Sequence, residues 1–178
     1  SQNPVIGLAK RAAKVWLQDD GCALIEYEFN IENTGDVLIN NLVLTDDLAT
    51  AFMDCAGDVN IKEITSDDFI VNADYAAVFG GANILTDGSS QQPGDKGAVL
   101  LTVEACGCGN AVIENQAIIA GEAPDGTGVM DESDSGSDPD EDDDGPGDDM
   151  DTTMTDLSQN AIIGIAKRAS DVDLLPNG

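Results

Sequence analysis

The sequence predicts an all-β fold: an immunoglobulin-like β-sandwich of about seven antiparallel strands, followed by an acidic, calcium-binding linker. Three observations lead there. Ile25, Tyr27, Phe29 and Ile31 alternate with Glu26, Glu28, Asn30 and Glu32, the period of two that marks a half-buried strand. Clusters of turn residues separate the apolar runs, and helical periodicity is weak. Acidic residues are concentrated in one strip near the C-terminus. A unit of about 130 residues is long enough to bury a core without help.

The elements follow in order. Val5 to Trp16 mixes apolar and basic residues and is open to either secondary structure. Ala23 to Glu32 is the clearest strand, closed by the turn residues Asn33-Thr34-Gly35-Asp36. Val37 to Leu44 is the next, running into Thr45-Asp46-Asp47. That aspartate pair reads as solvated turn residues, with metal ligation a secondary use. Ala49 to Met53 suits one short helical turn. Ile61 to Ile64 and Phe69 to Val71 read as short β segments, Val99 to Val103 as a buried strand, and Ala111 to Ala120 as another. Pro124-Asp125-Gly126 is a tight turn, because proline presets φ and glycine accepts positive φ. A seventh strand lies near 128–131.

Charge narrows the function. The chain of 178 residues has 7 Lys+Arg against 35 Asp+Glu, a net charge of -28. That argues against nucleic acid and anionic membrane surfaces as partners, which need positive charge. There is no histidine, so Ser-His-Asp and Cys-His catalysis are excluded, as are imidazole-ligated metals. No apolar run approaches the ~18 residues of a membrane-spanning helix. Ser1-Gln2-Asn3-Pro4 has no basic or apolar signal region, as expected of an internal or mature segment.

The sequence also repeats itself. Residues 1–12 read SQNPVIGLAKRA and residues 158–169 read SQNAIIGIAKRA, with nine of twelve positions identical. The offset of 157 residues is too long for a solenoid, whose period is ~20–50 residues. Each unit is therefore a whole domain. The expected organisation is a β-sandwich over 1–132, an acidic linker over 133–157, and the opening strand of the next repeat over 158–178, or a strand exchanged with a neighbouring subunit.

Strand parity orders the ends of the sandwich. If consecutive strands are antiparallel, Cys22, Cys55, Cys106 and Cys108 all lie at the pole opposite the start of the first strand. Two disulfides are expected there, with Cys22 and Cys55 each bridging to one of Cys106 and Cys108; which to which stays open. Zinc is a poor alternative, since Cys-Gly-Cys does not match the usual Cys-x2-Cys pairs. Disulfides imply an oxidising, extracellular setting. The seventh strand ends at the same pole, so units would join head to tail through the acidic strip.

That strip, 131–156, holds 13 of the 35 acidic residues and no base. Within it, Asp140, Asp142 and Asp144 precede Gly145, with Asp148 following, in the spacing of a calcium loop: carboxylates at positions 1, 3 and 5, glycine at the sharp turn, a carbonyl from Pro146 at position 7. Asp151 falls at position 12, where an EF-hand has glutamate, and no flanking helices are evident. The closer comparison is a DxDxDG loop outside the EF-hand fold. Asp131, Asp134 and Asp138 are candidates for a second site. Without cations such a run repels itself and stays extended; Ca2+, with 6–8 oxygen ligands, would fold it into a stiff joint.

The sequence resembles the conserved-repeat family of bacterial cell-surface proteins, the tandem β-sandwich modules of Bacteroidetes-type adhesins. The resemblance rests on PVIGLAKRA at 4–12, YEFNIENTGDVLINNLVLTDDLA at 27–49, SDDFIVNADY at 66–75, ENQAIIAGEAPDGT at 114–127 and VMDESDSGSDPDEDDDGPGDD at 129–149. It implies a secreted, tandemly repeated, immunoglobulin-like unit, rich in aspartate near the joint and binding calcium. The four cysteines depart from the family's cysteine-poor pattern.

The leading expectation is a structural repeat of an extracellular fibre or adhesin stalk, partnered by neighbouring identical repeats or subunits. A filament built by strand exchange from Asn160 to Leu175 is the alternative. A calcium-dependent module for host or matrix glycans would need aromatic stacking residues, and the chain has one Trp, two Tyr and four Phe. Enzymatic activity is not expected. No paired acids stand out from the solvated background, no basic residue accompanies Gly80-Gly81, and nothing joins Trp16 and Tyr75 as a binding pair.

Overall fold

The fold is seen in a computed structural model that describes residues 2–75, 82–141, 145–146, 151–158 and 163–168. Ten strands and one helical turn follow in order: β1 (Gly7–Leu17), β2 (Cys22–Glu32), β3 (Asn40–Asp46), α1 (Leu48–Ala51), β4 (Val59–Thr65), β5 (Lys96–Cys106), β6 (Val112–Asn115), β7 (Ala117–Glu122), β8 (Gly128–Glu132), β9 (Asp134–Ser135) and β10 (Thr153–Asp156). The protein is all-β, as its alternation requires.

One sheet has the order β4-β5-β2-β1-β9; facing it are β3-β7-β8 and the pair β10-β6. All named pairings are antiparallel except β1 with β9. Ile25, Tyr27, Phe29 and Ile31 of β2 point inward with Val99, Leu101 and Val103 of β5. They meet Leu42 and Leu44 of β3, Ile113 of β6 and Ile119 of β7 in a single core. A fully buried side chain of this kind contributes about 1.5–3 kcal/mol relative to exposure.

β1, ambiguous in sequence, is a strand because Ile6, Leu8 and Lys10 share one parity and all lie inside. A bulge between Ala12 and Lys14 resets its register against β2. Phe69 to Val71 differs from its expected β segment: Val71 makes only an isolated bridge to Leu85. The run 111–120 is broken at Gln116 into β6 and β7, which pair with different partners. α1 is capped by Asp47, whose Oδ1 accepts from the Thr50 N–H at 3.1 Å.

Both cysteine bridges lie at the pole where β1 ends. Cys22 pairs with Cys106, facing it across the β2–β5 ladder, and Cys55 pairs with Cys108.

The strands do not stop at 132. β9 lies along the free edge of β1, with Ala9 opposite Asp134 and Lys10 opposite Ser135. β10 closes on β6, with Thr153 opposite Asn115, and Leu157 beyond it is fully buried. Both ends of the segment assigned by composition to a linker are thus strands of the sandwich. The sequence hid them because β9 is two polar residues and β10 only four, ending in an aspartate, within a run whose acidity reads as spacer.

Candidate functional site

Two regions carry unspent chemistry: the acidic segment between β9 and β10, and a polar cluster buried between the sheets.

The acidic segment folds back over the pole where β1 begins. A Cβ placed on Gly7 would meet Pro139 Cβ at 2.8 Å and Pro146 Cβ at 2.9 Å, so glycine there lets two prolines of the segment seat on β1. An open cleft of 260 Å3 separates Asp138 and Pro139 from Asn30, Glu32, Asp68 and Lys96 on the outer face of the sheet. Within the segment, Asp140 Oδ1 accepts from the Gly145 N–H at 2.9 Å, and Gly145 has φ 119°. This bond links the residues at the first and sixth positions of the expected calcium loop. Asp138 Oδ1 accepts from the Asp140 N–H at 3.3 Å. Asp142, Asp144 and Asp148 lie outside the described residues; Asp151 is exposed. Among the described residues no three acidic side chains converge on one point.

Asp131 and Asp134 are placed apart from that loop, in the sandwich itself. Asp131 is buried, and its Oδ2 accepts from the Leu8 N–H at 2.7 Å, extending the β1–β9 ladder by one bond. Burial pushes its carboxyl up to about 6, against the opposing effect of the Leu8 N–H. Asp134 is also buried, on β9.

The second region was missed in the sequence. Lys10 Nζ lies 2.8 Å from Asp46 Oδ2, and both side chains have zero exposure. Asp46 is therefore not a solvated turn residue, as the sequence suggested; only its neighbour Asp47 is. The ammonium position is 4.5 Å from the Tyr27 ring centroid and 5.4 Å from that of Phe29. Asn115, also buried, brings its amide against the Asp46 carboxyl. Thr153 Oγ1 donates to the Lys10 carbonyl at 2.8 Å, Tyr27 Oη and Thr155 Oγ1 are 3.0 Å apart, and Tyr75 Oη donates to the Asp46 carbonyl at 3.3 Å. Burial lowers the Lys10 pKa and raises that of Asp46, each partly opposed by the other's charge. Parity carried a signal: Lys10 follows Ile6 and Leu8, Asp46 follows Leu42 and Leu44, and Asn115 follows Ile113, each at the inward position.

The duplicated segment is placed differently in its two copies. Ile6 and Leu8 are 3% and 0% exposed, whereas their counterparts Ile163 and Ile165 are 98% and 97% exposed. No described helix is long and apolar enough to cross a membrane. No family model and no curated protein matches the chain.

Proposed function

We propose that this chain is a structural repeat unit of an extracellular bacterial surface fibre or adhesin stalk, its copies joined head to tail. The observation that carries this reading is the exposure of Ile163 and Ile165, in a segment whose twin is the buried first strand of the same domain. A sequence written to be the strand of a sandwich joins no sheet among the described residues; a second copy of the domain supplies one.

The arrangement of the ends supports direct stacking of copies. Leu157 is anchored in the core, with its N–H bonded to the Ala111 carbonyl at 2.9 Å. Asn3 is already tied to the opposite pole, its N–H donating to Asp36 Oδ1 at 2.6 Å and its carbonyl accepting from the Asp36 N–H at 3.1 Å. By the repeat, Asn160 corresponds to Asn3. Only Ser158 and Gln159 then separate the last anchored residue of one copy from the first anchored residue of the next. The acidic segment sits at the opening pole of its own copy, so it faces the cysteine pole of the copy before it. That pole exposes Asp19, Asp20, Asp54 and Asp58.

Cations are needed to bring two such surfaces together. In this reading Ca2+ is held by Asp138, Asp140, Asp142, Asp144, Asp148 and Asp151 with the Pro146 carbonyl. The carboxylate spacing and the Asp140–Gly145 closure support it. The strand order supports an immunoglobulin-like assignment: β4-β5-β2-β1 against β3-β7-β8 matches D-E-B-A against C-F-G of the constant type. It departs from that type in its cysteines, since Cys22–Cys106 links two strands of one sheet. Two disulfides support an oxidising compartment.

Small-angle scattering of a two-copy chain, residues 1–157 placed ahead of 1–178, tests the reading. A stiff rod in calcium, loosened by chelator, is expected. Two bodies moving independently in calcium would contradict the stacked joint.

A further inference from the structure

Lys10, Asp46 and Asn115 are an expensive way to fill a core. Replacing a buried ion pair with apolar side chains is often neutral or stabilising, so stability alone does not explain the cluster. Its chemistry does. The amine and the carboxyl are sealed from water between Tyr27, Phe29 and Tyr75. Burial pushes the Lys10 pKa down and the Asp46 pKa up, the direction that favours a free-base amine, which is the nucleophilic form, beside a protonated acid. Asn115 presents a carboxamide against that acid. The contact is loose: neither Asn115 Nδ2 nor Asp46 Oδ1 makes a hydrogen bond of ordinary geometry, although both are buried.

We propose that Lys10 and Asn115 condense into an intramolecular amide bond between side chains, with Asp46 as the acid–base group. The Lys10 Nζ lone pair attacks Asn115 Cγ and a new C–N bond forms. Asp46 gives its proton to the amide group and takes one back from Nζ. The Cγ–Nδ2 bond breaks, and Nδ2 leaves as ammonia with its own two hydrogens and one from the amine. An amine and a primary amide become a secondary amide and ammonia, with no oxidant or further reactant. Asn115 is the acceptor, rather than Asp46, because Nζ meets Asp46 through Oδ2 in a hydrogen bond. Attack on Asp46 would also consume the only acid in the cluster.

The bond would join β1 in one sheet to β6 in the other. Its mechanical use rests on the fibre reading above. Tension along a head-to-tail array enters before β1 and leaves after β10, and a covalent tie between β1 and β6 keeps β1 from being peeled off. The repeat brings its own lysine for the next copy, since Lys167 corresponds to Lys10.

The test is the intact mass of the 178-residue chain after reduction of both disulfides. The expected result is a mass below that of the sequence by one ammonia, with a branched fragment joining Lys10 to Asn115. Asp46→Asn and Asn115→Ala should each restore the full mass, with a lower Tm. A wild-type chain at full mass would overturn the proposal. So would loss of water with a branch to Asp46, or loss of ammonia without a branch, which is backbone cyclisation at an asparagine. Because the measurement uses one copy, it stands or falls independently of the fibre.

Discussion

Lys10 and Asp131 show how single residues at inward positions govern this domain. Asp131 uses one oxygen to finish a strand ladder while burial raises its pKa to about 6. The folded state therefore holds its proton more tightly than the unfolded chain, whose aspartates titrate near ~3.9. The stability this confers is full below about pH 4 and is lost as pH rises towards 6. Asp131→Asn keeps an acceptor for the Leu8 N–H and should remove that loss. In denaturant titrations at pH 4, 5, 6 and 7, the mutant should gain on wild type as pH rises. A constant difference would mean that Asp131 titrates alike in both states. These roles were partly legible. Alternation marked Tyr27 and Phe29 as core, and both are fully buried. Lys10, Asp46 and Asn115 sat at the same inward parity, but their polarity argued for solvent and masked the cluster.

At the scale of elements, strong alternation made β2 and the centre of β5 readable, and parity placed all four cysteines at one pole. The two bridges form there as Cys22–Cys106 and Cys55–Cys108, a choice between pairings that depends on strand register and so was closed to the sequence. Closing loops of 84 and 53 residues removes chain entropy worth on the order of 4 kcal/mol each in the simplest model. Replacing Cys55 and Cys108 together by serine should lower stability by about 2–4 kcal/mol in denaturant titration. β9 and β10 were unreadable, since Asp134-Ser135 and Thr153 to Asp156 look like spacer; their pairing is imposed by the free edges of β1 and β6. Leu157→Ala tests whether the chain after the acidic segment belongs to the domain. Its side chain is 1% exposed, so the change should cost about 2–5 kcal/mol. A surface-like cost below about 0.5 kcal/mol would remove β10 from the folded unit.

At the scale of the whole molecule, the domain has opposite poles, one holding both disulfides and the other meeting Pro139 and Pro146 of the acidic segment, and in the proposed fibre it serves as a strut. The net charge of -28 opposes stacking of such units unless cations collect where they meet. Thermal unfolding in calcium, at fixed ionic strength, should shift upward, and a site filled at ~100 times its dissociation constant adds ~2.7 kcal/mol. Magnesium should not reproduce the shift, because it demands a smaller, stricter coordination shell. Equal shifts from both ions would mean charge screening rather than a built site. The repeat was plain in the sequence. What the fold adds is that Leu157 is anchored in the core, which in the head-to-tail reading leaves two residues for the joint. The most direct test of the head-to-tail account is amide hydrogen exchange across 163–168. In the single-copy chain these amides should exchange as freely as an unstructured segment. In the two-copy chain, the same segment at the start of the second copy should be protected to the level of β1. Free exchange in both chains would contradict the claim that this segment is the first strand of a following domain.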